Sequence, residues 1–339
     1  MTHPSSARWS VFSTPQGARE AYLTLAAAPD VSCEKALEQL KEQFDQAIKG
    51  RGLDNHSLCF TRVFFSDIAN QHDLFIRSGL YQRLKSGVVS AVEQRPCCDG
   101  QLAMLCYFLD GNPPVAKKTV SFKKHKNNLL VQGANYPLFF AAEFSASPSL
   151  DSNEQTARIF QDYSDALGDL RQTLLGNTIR TWVFVRDIDN HYHGMTEARK
   201  LFFHSQGLTE KTRYVASTGI EARFPHPQTL VSLDALSIGN LRPAQIIRME
   251  ALQNLCPTQN YGVTFERGTR VQFGDRAHLY LSGTASIDSQ GEVLHLRDAG
   301  QQTRRTLDNI EALLKPQGAT LEDMLYFIIY VRNGMEASQ

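Results

Sequence analysis

Apolar positions recur along this chain in two rhythms, every second residue and every third to fourth, and their alternation predicts three blocks of mixed structure. In the first block, residues 9–13 and 20–26 read as strands. Residues 33–49 carry Ala36, Leu37, Leu40, Phe44 and Ile48 at helical spacing behind Ser32 as N-cap. Gly50 and Gly52 end that helix. Residues 58–65 read as a strand, 70–85 as a helix, and 88–94 and 101–109 as strands, giving the order ββαβαββ. The middle block predicts strand 138–145, helix 153–175, strand 179–186, helix 196–207 and strands 213–221 and 229–238. A third block predicts strands 263–273 and 277–284, helix 299–314 and strand 324–331.

The first two blocks share sequence as well as pattern. Thr61-Arg62-Val63-Phe64-Phe65-Ser66-Asp67-Ile68 aligns with Thr181-Trp182-Val183-Phe184-Val185-Arg186-Asp187-Ile188, and Ser90-Ala91-Val92-Glu93-Gln94-Arg95 with Thr218-Gly219-Ile220-Glu221-Ala222-Arg223. Two matches in one order at so long a period point to duplicated domains rather than a short-repeat solenoid. The expected domains are 1–112, 131–239 and 261–339, with linkers at 113–130 and 240–260. The third domain stops where the others begin their second helix. The chain is therefore expected to be a fragment, or to have its last domain completed from elsewhere, since a half-built sheet leaves open strand edges.

Composition narrows the class of function. The chain has 339 residues, 42% of them hydrophobic, enough for a substantial core in two or three domains. Its 35 basic and 35 acidic residues cancel, so no global field draws in nucleic acid or an anionic membrane, and neither is expected as a partner. The basic group Lys117, Lys118, Lys123, Lys124, His125 and Lys126 reads as a solvated loop in preference to a phosphate patch. Six cysteines form no CxxC pair and no finger spacing, so they read as reduced thiols. Residues 1–14 lack the apolar stretch of a secretory signal, and no run approaches the ~20 apolar residues of a membrane span, so a cytoplasmic protein is expected. His191-Tyr192-His193, with Asp187 and Asp189, reads as a polar loop after a strand, because no third ligand has metal spacing. No metal or cofactor is expected. Ser282-Gly283-Thr284 is no nucleophile elbow, and no Walker or dinucleotide fingerprint occurs.

The run Leu281-Ser282-Gly283-Thr284-Ala285-Ser286-Ile287-Asp288, then Gly291-Glu292-Val293, then Gln301 to Ile310 and Gly318-Ala319-Thr320-Leu321-Glu322-Asp323, resembles the Rid (YjgF-like) superfamily, long labelled L-PSP endoribonucleases. The middle block is similar to the complementary half of that pattern, through Val183 to Ile188 and Glu221-Ala222-Arg223-Phe224-Pro225 followed by Ser232-Leu233-Asp234-Ala235. Within the superfamily, Arg180-Thr181-Trp182, Thr218-Gly219-Ile220, Tyr261-Gly262 and Phe265-Glu266-Arg267 resemble the chorismatases, which join several such modules in one chain. The resemblance implies an α+β protein of tandem, chorismate-mutase-like modules, each a mixed or antiparallel sheet packed on helices. The modules would be arranged as a self-contained pseudo-trimer, with a homo-oligomer left open.

It also implies chemistry. In the deaminase branch an arginine at the Arg223 position holds a substrate carboxylate, a task its planar fork suits, and Asp234 falls where that branch has a water-positioning glutamate; a surface ion pair is the other reading of Arg223. Chorismate carries two carboxylates and an enol-pyruvyl ether, so its cleavage needs cationic clamps and an acid that protonates the ether. The resemblance nominates Arg180, Arg223 and Arg267 as clamps, Tyr261, Ser282 and Thr284 as hydrogen-bonding groups, and Phe265 beside them, with Asp234 and Tyr261 as the catalytic pair. The pocket is expected between the second and third modules. The family's acid is a glutamate late in the last module that no residue up to Gln339 matches, so a chain ending there is expected to show little of this activity. The expectation is a lyase or hydrolase acting on a small carboxylated metabolite. Cleavage of chorismate to pyruvate and a hydroxylated benzoate or dihydrobenzoate leads, with hydrolysis of enamines or imines, and an inactive ligand-binding member, as alternatives.

Overall fold

The computed structural model describes residues 7–14, 17–97, 100–111, 115–132, 135–258 and 263–332. A first sheet is built from β1 (Arg8–Ser13), β2 (Arg19–Ala26), β3 (Leu58–Phe65), β4 (Val88–Glu93) and β5 (Leu102–Asp110), in the order β1-β2-β5-β3-β4. Helices α1 (Cys33–Gly50), α2 (Ile68–Arg77) and α3 (Gly79–Leu84) cover one face. Ser32 caps α1 by accepting from Lys35 N at 3.3 Å, and the apolar stripe Ala36, Leu37, Leu40, Phe44 and Ile48 is buried, as its spacing requires. The predicted single helix 70–85 is two helices. Ser78 Oγ accepts from Tyr81 N at 3.2 Å and starts α3 in a new direction.

The second sheet contains β6 (Ala116–Thr119), β7 (Asn128–Gln132), β8 (Leu138–Phe144), β9 (Thr178–Val185), β10 (Ala216–Glu221) and β11 (Val231–Ile238), in the order β10-β9-β11-β8-β7-β6. With β6 set aside, its order and strand directions repeat those of the first sheet, including one parallel pair each, β3 with β4 and β9 with β10. Helices α4 (Ser152–Asp169), α5 (Leu174–Asn177) and α6 (Ile188–Ser205) belong to this sheet. The segment expected as a first linker supplies β6 and the start of β7. Lys117, in the basic group, is tied down by bonds to Asn55 O at 3.0 Å and Leu58 O at 2.7 Å.

The third sheet is a meander of β12 (Ile246–Met249), β13 (Gly268–Gln272) and β14 (Ala277–Leu281), followed by α7 (Ala299–Leu314). It begins inside the expected second linker. The strand predicted at 324–331 is not formed. That run is extended and shows the alternation of a strand, Tyr326, Ile328 and Tyr330 half-buried and Phe327 and Ile329 exposed, yet it joins no ladder among the described residues.

Each of the two larger sheets buries a core against its helices. A further cluster contains no helical residue: Tyr107, Leu129, Phe140, Leu236, Val271 and Phe273, among others, come from all three sheets. The helix-free faces of the sheets therefore pack on one another. A fully buried Phe or Leu there contributes roughly 1.5–3 kcal/mol, so this inner contact is a principal source of cohesion between the sheets. Among the described residues no helix is long and apolar enough to cross a membrane.

Candidate functional site

Strand alternation sends Arg180 and Trp182 of β9 to the inner face, and Arg62 of β3 comes in from the first sheet. The guanidinium carbons of Arg62 and Arg180 lie 4.7 and 4.5 Å from the Trp182 ring centre, so two cations share one indole. Arg62 Nη2 donates to Asp234 Oδ2 at 2.7 Å, with both side chains 1% exposed. Asp234 is directly opposite Trp182 in the ladder, and its other oxygen accepts from Glu143 N at 3.0 Å. Burial pulls the Arg180 guanidinium down to about 10, against the opposing influence of Tyr326 and Tyr330, so it stays charged at neutral pH.

The same arginine reaches the third sheet's territory. Arg180 Nη1 donates to Thr181 O at 2.6 Å and Nη2 to Thr218 Oγ1 at 2.5 Å. A Cβ on Gly283 would sit 3.4 Å from Thr218 Cγ2, so the Ser282-Gly283-Thr284 turn lies directly on β10. Gly283 N donates to Ser217 O at 3.1 Å, Ser217 N donates to Ser282 Oγ at 2.9 Å, and Ser282 Oγ donates to Glu266 O. Thr284 Oγ1 donates to Ser282 O at 3.1 Å. Asp234, Arg180 and the Ser282–Thr284 turn, far apart in sequence, thus fall along one path that runs from Arg62 of the first sheet to the third.

Other expected residues lie elsewhere. Arg223 is 61% exposed and faces the first sheet: its backbone pairs with Glu93, and Nη1 is 3.4 Å from Glu93 Oε1. Arg267 donates to Cys256 O at 3.3 and 2.9 Å and lies 5.9 Å over Phe265, beside a cavity of about 10 Å³ lined by Cys256, Thr258 and Arg248. That holds about one water. Tyr261 lies outside the described residues. A larger hollow, about 480 Å³, opens between Lys123, Lys124, Leu150 and Arg158, but none of the expected site residues lines it and Lys123 is already paired with Asp162 and Asp165. His191 and His193 are in the first turns of α6 rather than in a loop.

Three participants are not among the residues nominated from the sequence. Arg62 matches Trp182 in the internal alignment, and its role depends on a partner 172 positions away. Tyr330 sits in the extended run, where Arg62, Arg180 and Asp234 all act on it. Glu266 shares a row with Ala216 and Arg180 across the 263–267 run, β10 and β9. Burial raises its pKa, opposed by Arg213 at 3.7 Å and by Thr269, whose Oγ1 donates to Oε1; Oε2 has no protein partner.

No protein-family model matches the chain. Among curated proteins, 3-aminoacrylate deaminase RutC of Acinetobacter baylyi is 34% identical over 55 residues, 16% of this chain and 44% of that protein, so the chain matches less than half of this relative's length. Among solved structures, a chorismatase aligns over 93% of this chain and 81% of its own, with TM-score 0.56 and 15% identity. The chain has a chorismatase-like fold. A YjgF-family protein of Neisseria meningitidis aligns over 38% of this chain and 98% of its own, with TM-score 0.31 and 16% identity. The RutC and chorismatase likenesses support a Rid (YjgF-like) relationship. Within the chorismatase-like fold, the path from Asp234 to Thr284 runs where the inner faces of the sheets meet.

Proposed function

We propose that this protein binds a small carboxylated metabolite where the second and third sheets meet, and that its activity is chorismatase-like cleavage of chorismate to pyruvate and a hydroxylated benzoate or dihydrobenzoate. The observation that carries the reading is Arg180: a buried guanidinium with no carboxylate partner among the described residues, held by Thr181 O and Thr218 and adjoining the Ser282-Gly283-Thr284 turn. Such a cation is oriented to receive a substrate carboxylate. The alignment to a chorismatase along most of the chain supports the same reading, and a pseudo-trimeric arrangement of three Rid-like modules accounts for the meeting of the three inner faces.

The chemistry needs a proton at the methylene of the enol ether, then water at the ether carbon; the resulting hemiketal collapses to pyruvate and the freed hydroxyl. Asp234 is engaged by Arg62 in a 2.7 Å ion pair. Glu266, whose pKa burial raises and whose Oε2 has no partner among the described residues, is the candidate acid. Deamination of an enamine or imine is a second reading, favoured by the RutC likeness and by exposed Arg223.

The test is pyruvate release from chorismate by the purified chain, with Glu266→Gln and Arg180→Met as controls. Release lost in both variants, each folded by circular dichroism, supports the reading. No release from the folded wild type, with ammonia released from 3-aminoacrylate, replaces it with the deaminase.

A further inference from the structure

The inner junction holds more positive than negative charge. Arg62 and Arg180 face a single engaged carboxylate, Asp234; the other acid nearby, Glu143, turns to Ala91 N at 2.9 Å and Asn127 Nδ2 at 3.1 Å. Two buried polar atoms there lack a partner among the described residues: Nε of Arg62, whose side chain is 1% exposed, and the Tyr330 hydroxyl. An unpartnered buried donor costs about 1–3 kcal/mol, and more when it is charged. Natural interiors tolerate such atoms where a water or ligand completes them. Of the rings around Arg62, Phe184 is fully buried while Phe60 and Trp182 are only half-buried, as is Tyr326 near Tyr330, so the junction between the sheets is not fully closed by packing.

We propose that Arg62 Nε and the Tyr330 hydroxyl form, with Arg180, a second anion subsite that takes a carboxylate against the aromatic walls Trp182 and Phe60. The inference deepens the carboxylate reading given above, since it supplies a receptor for a second carboxylate apart from the Ser282-Gly283-Thr284 turn. The surroundings favour an aromatic or cyclic carboxylate: Phe60, Trp182 and Phe184 ring the Arg62 guanidinium, whose carbon is 5.3, 4.7 and 5.0 Å from their centres, so an apolar ring would meet aromatic edges while its acid group meets the charge.

Trp182 also reports occupancy. In a Trp9→Phe background it is the remaining tryptophan of the two in the chain, and its emission can be followed while 3-hydroxybenzoate, formate or chloride is added at constant ionic strength. The expected result is a saturable change with the two carboxylates, tighter for 3-hydroxybenzoate, and a Kd raised about 5-fold or more by Tyr330→Phe, the loss of about one hydrogen bond to a charged group. Tyr330→Phe keeps the ring and its packing, so a purely structural tyrosine leaves Kd unchanged. No saturable response, a response to chloride alone, or an unchanged Kd in Tyr330→Phe overturns the subsite. Carboxylate binding without turnover of chorismate leaves the subsite standing and removes the proposed activity. Turnover with an unaltered KM in Tyr330→Phe does the reverse.

Discussion

Arg62 of the first sheet and Asp234 of the second form a 2.7 Å ion pair in which neither side chain is more than 1% exposed. Desolvating two charges is offset only when both stay paired, so cutting one partner is far worse than replacing both. Asp234→Asn is expected to destabilise the protein by about 3–5 kcal/mol in urea unfolding, and Arg62→Met with Asp234→Leu to recover most of that loss. If Asp234→Asn instead left stability intact and abolished turnover, Asp234 would be a catalytic residue after all.

A second tie joins the first and third sheets. Glu20 accepts from Arg276 Nε at 2.8 Å, pairs with His278 Nε2 at 2.9 Å, and accepts from the Tyr107 hydroxyl at 2.8 Å. Burial alone would raise its pKa, but His278, Arg276 and Tyr107 together hold it down from 4.5 to about 2. A depressed acid stabilises the fold above its unfolded pKa and loses that contribution as pH falls toward the folded one. The thermal midpoint is therefore expected to fall between pH 4.5 and 2, by an amount worth about 3 kcal/mol. Glu20→Gln should flatten that limb of the Tm–pH curve, and an unchanged limb would assign it to other carboxylates.

Thiol reactivity should separate along burial. Cys97 is exposed, while Cys33, Cys59, Cys106 and Cys256 are buried, and burial pushes Cys59 and Cys106 up to about 12. The thiolate is the nucleophile, so these two are inert at pH 8. In titration of the native protein with an aromatic disulfide reagent, Cys97→Ser is expected to remove one equivalent from the fast phase, and Cys59→Ser or Cys106→Ser none.

Gly87 has no room for a side chain. A Cβ there would meet Cys59 O at 2.9 Å and Leu58 O at 3.0 Å, both backbone atoms of β3 that cannot swing aside. Gly87→Ala should cost about 1–3 kcal/mol in denaturant unfolding, the range for overpacking, and a neutral result would show that the turn between α3 and β4 can move away from β3 locally.

Periodicity made most strands and α1 legible because each buries one face locally; the near match of residues 61–68 to 181–188 pointed to a duplication, and the strand order that the two larger sheets share was not itself read from it. What was not legible depends on contacts across the chain. α6 begins at Ile188 although Asp187 has φ 48° and makes no side-chain cap bond. Its polar first turns are held by tertiary packing, with Tyr192 against Gly219 on β10, so His191 and His193 read falsely as loop. Ser78 was visible as a cap and went unread. Arg180, Ser282 and Thr284 could be singled out from motifs, whereas Arg62 and Tyr330 carry no local mark and Glu266, although inside the Phe265-Glu266-Arg267 motif, shows nothing there of its burial. Their significance lies in what the inner faces bring to them.

The run 324–332 has a consequence of its own. Tyr326 packs on Tyr22 in a tilted contact with ring centres 4.6 Å apart, and Tyr330 sits beside the charged junction, yet the backbone between them donates to no strand among the described residues. Anchoring and amide protection are therefore uncoupled. In deuterated solvent its amides should exchange within seconds while its tyrosine rings turn slowly, a segment fixed by its side chains alone.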